Sequence, residues 1–392
     1  MKIKLCKKCV NPSTRPNMSF DHNGCCPVCQ YAESRNNSEI DWKARSSELK
    51  NICDWGKSNT KSQYDCIVTV SGGKDSTRQA CFVRDELGMN PLLVSCSYPP
   101  EQLTDLGADN LENLIQLGFD TLSMSLNPLL WKRLMREGFF KFGNWQKSTE
   151  MALFAIPIHI AIAYHTPLIF YGENPVHTLG EKCGSSDGNA SQLKSGNTIA
   201  GGPDTLLPKD VTKQDSHFYY YPSDDEMKNA ELRLIYLGYY ISDWSGKNNA
   251  EFAINRGLKV RSDGPEVIGD LFGFSCLDED YSIVNQLFKY IKLGFGRVTD
   301  QVCELINAGS LTREEGLKLV KAYDGACDPS FIRRFCHYLD ISEEQFWEVA
   351  EHYRNQTIWK KNKDGKWELQ REETNEPVSD TRLWNGEHTV YS

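Results

Sequence analysis

The stretch YDCIVTVSGGKDST, Tyr64 to Thr77, constrains the fold more than any other part of the chain. An apolar run that ends in two adjacent glycines and continues into a polar, helix-compatible segment reads as strand, tight turn and helix. Adjacent glycines let the backbone bend sharply and present several N–H groups, and the following helix directs the positive end of its dipole at any anion seated there. The pattern departs from the Walker loop G-x-x-x-x-G-K-[ST], because the gap between glycines is missing and Asp75 stands between Lys74 and Ser76. Such a turn suits a pyrophosphate. The competing reading is a plain Gly-Gly turn with a capping Asp.

The flanking sequence alternates strand and helix. Apolar residues 66–70, a helical stretch 76–88, the strand PLLVSCS, a helix near 107–117, FDTLSMS, a helix near 148–165 and the buried strand PLIFYGENP give an α/β rhythm, which implies a parallel sheet with crossover helices. Residues 177–222 are rich in Gly, Ser, Asp and Lys and form an insert, either a substrate-facing lid or a surface elaboration. Beyond Gly264 the pattern turns helical, and LTREEG and ISEEQ open with Thr or Ser ahead of Glu, close to a capping signature. The expected units are 1–37, a helix and linker over 38–63, an α/β domain over 64–263 that contains the insert, and a helical region over 264–392.

The first of these units has no helical or strand period and needs something other than an apolar core to hold it. Cys6-x2-Cys9 and Cys26-x2-Cys29, separated by 16 residues, have the spacing of a zinc ribbon in which two knuckles complete a tetrahedron. With four protein ligands and no open position, the site would be structural, and the same ligands leave an iron–sulfur centre as the alternative. The chain has 14 cysteines; in a long reducing-compartment protein these do not read as a disulfide framework.

Composition narrows the partners. With 392 residues and 40% hydrophobic content the chain can bury a sizeable core, and a formal charge of −9 argues against a surface built to wrap a phosphate backbone, so nucleic acid is a second-choice partner. No apolar run reaches bilayer-spanning length and MKIKLCKKCV lacks the apolar core of a signal peptide, so a cytoplasmic protein without a membrane partner is expected.

Ser71, Gly72, Gly73, Asp75 and Ser76, with Lys74 between, resemble the S-G-G-x-D-S fingerprint of the PP-loop ATP pyrophosphatases. The resemblance implies that Ser71, Gly72, Gly73 and Ser76 cradle the phosphates of ATP, that Lys74 counters their charge, and that Asp75 helps place Mg²⁺. CKKCVNPSTRP, the second cysteine pair, LIFYGENP and KLGFGRVTD together resemble the N-acetyl sugar amidotransferases of bacterial surface-glycan pathways, from Met1 to about Gly325. That likeness implies an ATP-dependent enzyme converting an acetamido group of a nucleotide-linked sugar to acetamidino through an adenylated intermediate. No glutaminase segment is evident, so the likeness also implies separate glutaminase and barrel-type subunits as the source of ammonia.

Two further pairs are candidates. Glu173 and Asn174 follow the strand PLIFYG, where parallel sheets place site residues, with Glu173 facing metal, ATP or ammonia and Asn174 near the nucleotide; an Asx-type turn before Pro175 is the alternative. Arg297 and Asp300, after Gly294-Phe295-Gly296, would grip a carboxylate or phosphate of the substrate, unless the glycines only end a helix and Asp300 caps the next. His159, His165 and the segment HFYYYP are expected to be packing residues, and Asp278, Glu279 and Asp280 to sit at a helix start by charge–dipole attraction. Rival readings are a tRNA-thiolating PP-loop enzyme, with Cys183 as sulfur carrier, and a zinc-ribbon adaptor with a vestigial nucleotide fold.

Overall fold

The computed structural model describes residues 2–175, 187–195, 197–372 and 378–379. Its centre is a five-stranded sheet in the order β3-β2-β1-β4-β5, every pair parallel. The strands are β1 Cys66–Thr69, β2 Pro91–Ser97, β3 Thr121–Ser125, β4 Leu168–Tyr171 and β5 Arg233–Tyr236. Central strands are apolar on both faces because both are covered, as parallel sheets require. Ile67, Val94, Ile169 and Leu234 face one core, whereas Val68, Leu93, Phe170 and Ile235 face the other. The helices that cover them are α2 Trp42–Asn59, α3 Lys74–Cys81, α4 Asp105–Gln116, α5 Pro128–Phe142 and α6 Gln146–Tyr164, whereas α1 Pro27–Asn36 packs in a separate cluster with the cysteine pairs.

The chain runs outward from β1 to β3 and then returns to place β4 on the other side of β1. The turns after β1 and β4 therefore diverge at the carboxyl edge of the sheet, which is where open α/β sheets form ligand crevices.

The C-terminal helices are α7 Gly246–Ile254, α8 Tyr281–Leu293, α9 Arg297–Asn307, α10 Arg313–Tyr323, α11 Pro329–Leu339 and α12 Glu343–Tyr353. Two carry reciprocal capping boxes, Thr312 with Glu315 and Ser342 with Gln345. The expected boundary at 263/264 marks a change of secondary structure and not a break in the core. Phe139 and Trp145 of the α5–α6 hairpin pack directly on Phe288, Phe335 and Phe346 from α8, α11 and α12, with ring centroids 4.3–5.9 Å apart.

Two expectations need correction. The C-terminal region is not helical throughout: β6 Trp359–Lys361, β7 Trp367–Leu369 and β8 Val378–Ser379 form an antiparallel sheet, turned at Asp364-Gly365 with Gly365 at φ 78°. An Asp-Gly pair between short apolar stretches is a hairpin signal. Residues 1–37 also contain a helix, because the second cysteine knuckle leads directly into α1, whose N-cap is Cys26. The N-terminal chain joins the small sheet through a bridge between Ile3 and Arg371, so the two ends of the described chain share one core of Ile3, Leu5, Tyr290, Ile358, Trp359 and Leu369. Among the described residues no helix is long and apolar enough to cross a membrane.

Candidate active site and metal centre

β1 delivers the double-glycine turn to the crevice. Gly72 adopts φ 86°, and a Cβ there would lie 2.9 Å from the Leu111 backbone nitrogen of α4, so both conformation and crowding require glycine. Gly73 differs: it is the N-cap of α3 at φ −76°, and a Cβ would meet only Ser71 Oγ at 3.7 Å. That open side is the room an anion needs. No side chain caps α3, which leaves its dipole directed at the crevice.

The turn is braced from within. Ser76 Oγ accepts the Ser71 N–H at 2.8 Å, and Thr77 Oγ1 donates to the Gly73 carbonyl at 3.1 Å. Lys74 Nζ lies 2.7 Å from Asp75 Oδ2, while Asp75 Oδ1 accepts from Asn249 Nδ2 of α7 at 2.8 Å. The aspartate is thus oriented by two partners, and the lysine sits 5.4 Å from the ring centroid of Phe274.

β4 delivers Glu173. The residue is exposed to the crevice, but it lies deep between its walls, and desolvation there, with a smaller contribution from the Asp75 charge, pushes it up to about 7. Asn174 is buried and its Nδ2 donates to the Gly238 carbonyl at 3.0 Å, so its amide is engaged in holding the β4 turn to the segment after β5. Glu150 on α6, which the sequence reading missed, also lines the crevice and is likewise pushed up to about 7 by burial, against the opposing effects of Thr198 and Lys147. Glu304 on α9 completes this acidic side, accepting the Gly246 N–H at 2.5 Å; burial raises it too.

All these groups open into a cavity of about 940 Å³ that extends to the other predicted pair, Arg297 and Asp300. One half of the alternative posed for that segment is present: Gly294, at φ 75°, ends α8, but the N-cap of α9 is Gly296, and Asp300, in its first turn, does not cap it. Asp300 does not itself face a substrate anion, however: it is paired with Arg15 and, at 2.7 Å, with Lys289. Burial works to raise its pKa, but Arg15 and Lys289 overcome that and hold it well below the usual carboxylate range. The correction follows from charge: a carboxylate already gripping two cations repels a further anion. Arg297 lines the same wall, with its guanidinium 3.4 Å from Cys276 Sγ. Arg15 lies within CKKCVNPSTRP, but its pairing with Asp300, like that of Lys289, exists only in the folded chain.

The described part of the insert meets this cavity. Lys147 of α6 donates to the carbonyls of Thr198 and Ala200 at 3.0 and 2.7 Å, and Thr198 contributes to the lining. Residues 176–186, with Cys183, lie outside the described residues. The discounted features behave as packing: His159 Nε2 meets the Tyr220 carbonyl at 2.8 Å, Tyr219 is buried, and Glu279 accepts the N–H groups of Tyr281 and Ser282 at the start of α8.

The candidate metal centre lies outside the two clusters that cover the sheet. Sγ atoms of Cys6, Cys9, Cys26 and Cys29 all lie within 4.8 Å of one another and all four residues are buried. Cys6–Cys29 and Cys9–Cys26 are 3.8 and 3.7 Å apart, close to the edge of about 3.8 Å expected for a tetrahedron with Zn–S near 2.3 Å. A cluster of several irons and sulfides would spread the thiolates further, so the set fits a single tetrahedral ion. The Asn11 and Cys26 backbone N–H groups approach Cys9 Sγ and Cys6 Sγ at 3.3 Å, as donors to thiolate sulfur do. The knuckles pack on Val298, Val302 and Val320 of α9 and α10, and Arg313 of α10 donates to the carbonyls of Cys6 and Cys9.

Comparison with known proteins bears on these regions. Residues 272–372 match the family model described as LPS biosynthesis protein WbpG-like, C-terminal domain. A solved structure of NMN synthetase from Francisella tularensis aligns over 57% of this chain and 99% of its own, at 18% identity and a TM-score of 0.28. No curated protein matches the sequence.

Proposed function

We propose that the chain, whose residues 272–372 match the WbpG-like LPS biosynthesis C-terminal domain model, is an ATP-dependent amidotransferase of surface-glycan biosynthesis. It replaces the acetamido oxygen of a nucleotide-linked sugar with nitrogen from ammonia. The observation that carries this reading is the opening of the SGGKDS turn, Glu173 and a basic wall into one cavity, at the crossing point of the sheet.

The chemistry follows from the weakness of an amide as an electrophile. Its carbonyl oxygen attacks the α-phosphorus of ATP, the bond to the β-phosphate oxygen breaks, and pyrophosphate leaves. Ammonia then adds to the imidate carbon, loses a proton, and AMP departs with the former amide oxygen. The first-turn N–H groups of α3 and Lys74 stabilise the charge that grows on pyrophosphate, and fixed donors of this kind act before any rearrangement is needed. Asp75, with both oxygens held by Lys74 and Asn249, is the carboxylate to place Mg²⁺ against the phosphates. Mg²⁺, when bound, neutralises phosphate charge and draws electron density from the α-phosphorus. Glu173 is poised near neutrality to take the proton that the nitrogen must shed.

The cysteine set would hold a structural Zn²⁺. Ammonia is supplied by separate glutaminase and barrel-type subunits. Glutamine should therefore support turnover only when those partners are added, and hydrolysis of glutamine by the isolated chain would refute this part.

The decisive assay incubates the protein with ATP, ammonium and a panel of nucleotide-linked diacetamido sugars. AMP, pyrophosphate and an amidine product are expected. Cleavage of ATP to ADP, or nucleotide seated away from Gly72 and Gly73, would overturn the proposal.

A further inference from the structure

The cysteine ribbon does more than fold the N-terminus, because it reaches the cavity. Asn11, two residues after Cys9, is buried and donates from Nδ2 to Cys26 Sγ at 3.5 Å, while its backbone N–H approaches Cys9 Sγ. The Oδ1 of the same side chain accepts from Arg15 Nε at 2.9 Å. Arg15 crosses to the cavity wall, pairs with Asp300 there, and lies 4.5 Å from the ring centroid of Phe295, as does Lys289 Nζ. One amide thus connects the thiolate set to a cation in the cavity.

That wall is unbalanced. Arg15 and Lys289 pair with Asp300, and Arg297 on the same wall is within electrostatic reach of Asp270 and Asp300, so three cations face two carboxylates. Gathering like charges on a protein-lined wall is costly unless an anion completes the set. Asp75, with Glu173 and Glu304 within electrostatic reach of it, gathers negative charge at the double-glycine turn, which suits a magnesium–nucleotide and repels a second phosphate. The cavity is therefore divided by charge.

We propose that Arg15, Lys289 and Arg297 form the subsite for the phosphate of the sugar nucleotide, and that Asn11 is a positioning residue through which the metal-bound ribbon sets Arg15 in that subsite. The inference rests on the substrate class proposed above. It makes the metal centre part of the substrate wall: the thiolates fix Asn11, Asn11 fixes the guanidinium plane, and Arg15 presents its charge to the phosphate beside Lys289.

The test is equilibrium binding of UDP and, separately, of CMP to the full chain, with the loop filled by saturating α,β-methylene-ATP. UDP distinguishes a diphosphate ester from the monophosphate that CMP represents. Arg15→Gln and Lys289→Met should each weaken the better probe about tenfold or more, the loss expected for one charge-assisted contact, while α,β-methylene-ATP binds as in the parent. Arg15→Lys should lose less. Asn11→Ala should keep the parent metal content by elemental analysis and still weaken the same probe. Failure of the parent to bind either probe, or parent-like affinity in both Arg15→Gln and Lys289→Met, would overturn the subsite; parent-like affinity in Asn11→Ala would overturn the relay. The outcomes separate from those of the reaction: probe binding that depends on Arg15 without any amidine product refutes the reaction alone, and amidine formation with an unchanged KM in Arg15→Gln refutes the subsite alone.

Discussion

The two walls of the cavity are built in opposite ways. The proposed nucleotide wall comes from consecutive residues, Ser71 to Ser76, on one turn whose shape is set by Gly72 and by hydrogen bonds spanning at most five residues. The basic wall comes from segments far apart in sequence, with Arg15 and Asp300 separated by 285 residues and Arg313 bonded to the Cys6 carbonyl across 307. A local turn carries its geometry with it. A wall assembled from a metal ribbon and two helices depends on everything that docks them. Removing a charged side chain from the first should therefore abolish chemistry and spare the fold, whereas damage to the second should reach both.

The largest effect should come from the ribbon. Cys26→Ser removes one of four ligands from a site whose metal, in small zinc domains, contributes roughly 10 kcal/mol of apparent folding free energy. Loss of metal by elemental analysis and a thermal transition lowered by many degrees are expected. Unchanged melting would break the comparison, since the ribbon would then be an ornament on α9 and α10.

At the nucleotide wall, Asp75→Asn or Lys74→Met should reduce AMP formation about 10²- to 10³-fold, the usual cost of removing one group that stabilises transition-state charge. The melting temperature should stay near that of the parent. A stability loss as large as that of Cys26→Ser would show that the turn is not local after all.

The two glycines sharpen the contrast within the turn itself. Gly72→Ala meets the α4 backbone and a positive φ, and should cost about 2–4 kcal/mol by chemical denaturation. Gly73→Ala, with open space at its Cβ, should leave stability nearly unchanged and weaken ATP binding. The reverse ranking would place the anion elsewhere.

The smallest effect concerns protons. Desolvation raises Glu173 from its ordinary value near 4.5 to about 7 in the folded chain. Its contribution to stability is therefore fully present below about 4.5 and is lost as pH rises through about 7. Activity runs the other way, because the ionised form accepts the proton. The profile of kcat/KM should climb through about 7, and Glu173→Gln should remove most of the rate and flatten the climb. An unaltered profile in Glu173→Gln would take this residue out of the chemistry.

Much of this was legible in sequence where the signal is local. The strands Cys66–Thr69, Pro91–Ser97 and Leu168–Tyr171 and the helices that separate them follow from apolar runs and turn residues, and the Cys-x2-Cys pairs read directly as one buried tetrahedral set. Strand β5 and helix α5 were overlooked, the first because four residues after an insert give little periodicity, the second although Asn127-Pro128 is a plain helix start, with Asn127 Oδ1 accepting the Leu129 and Leu130 N–H groups. The Asp364-Gly365 hairpin was legible and was passed over.

By itself the sequence determined the double-glycine turn, the parallel α/β order and the paired cysteines, since each depends on backbone freedom or residue spacing over short stretches. Only the tertiary structure decided that Glu150 joins Glu173 in one cavity, that Asp300 is held by cations, and that Arg15 hangs from the metal ribbon through Asn11. Those facts are distances between segments, fixed when the aromatic core of Phe139, Trp145, Phe288, Phe335 and Phe346 docks the C-terminal helices against the sheet. Packing energy of that kind is summed over the whole interface, and no single stretch of sequence contains it.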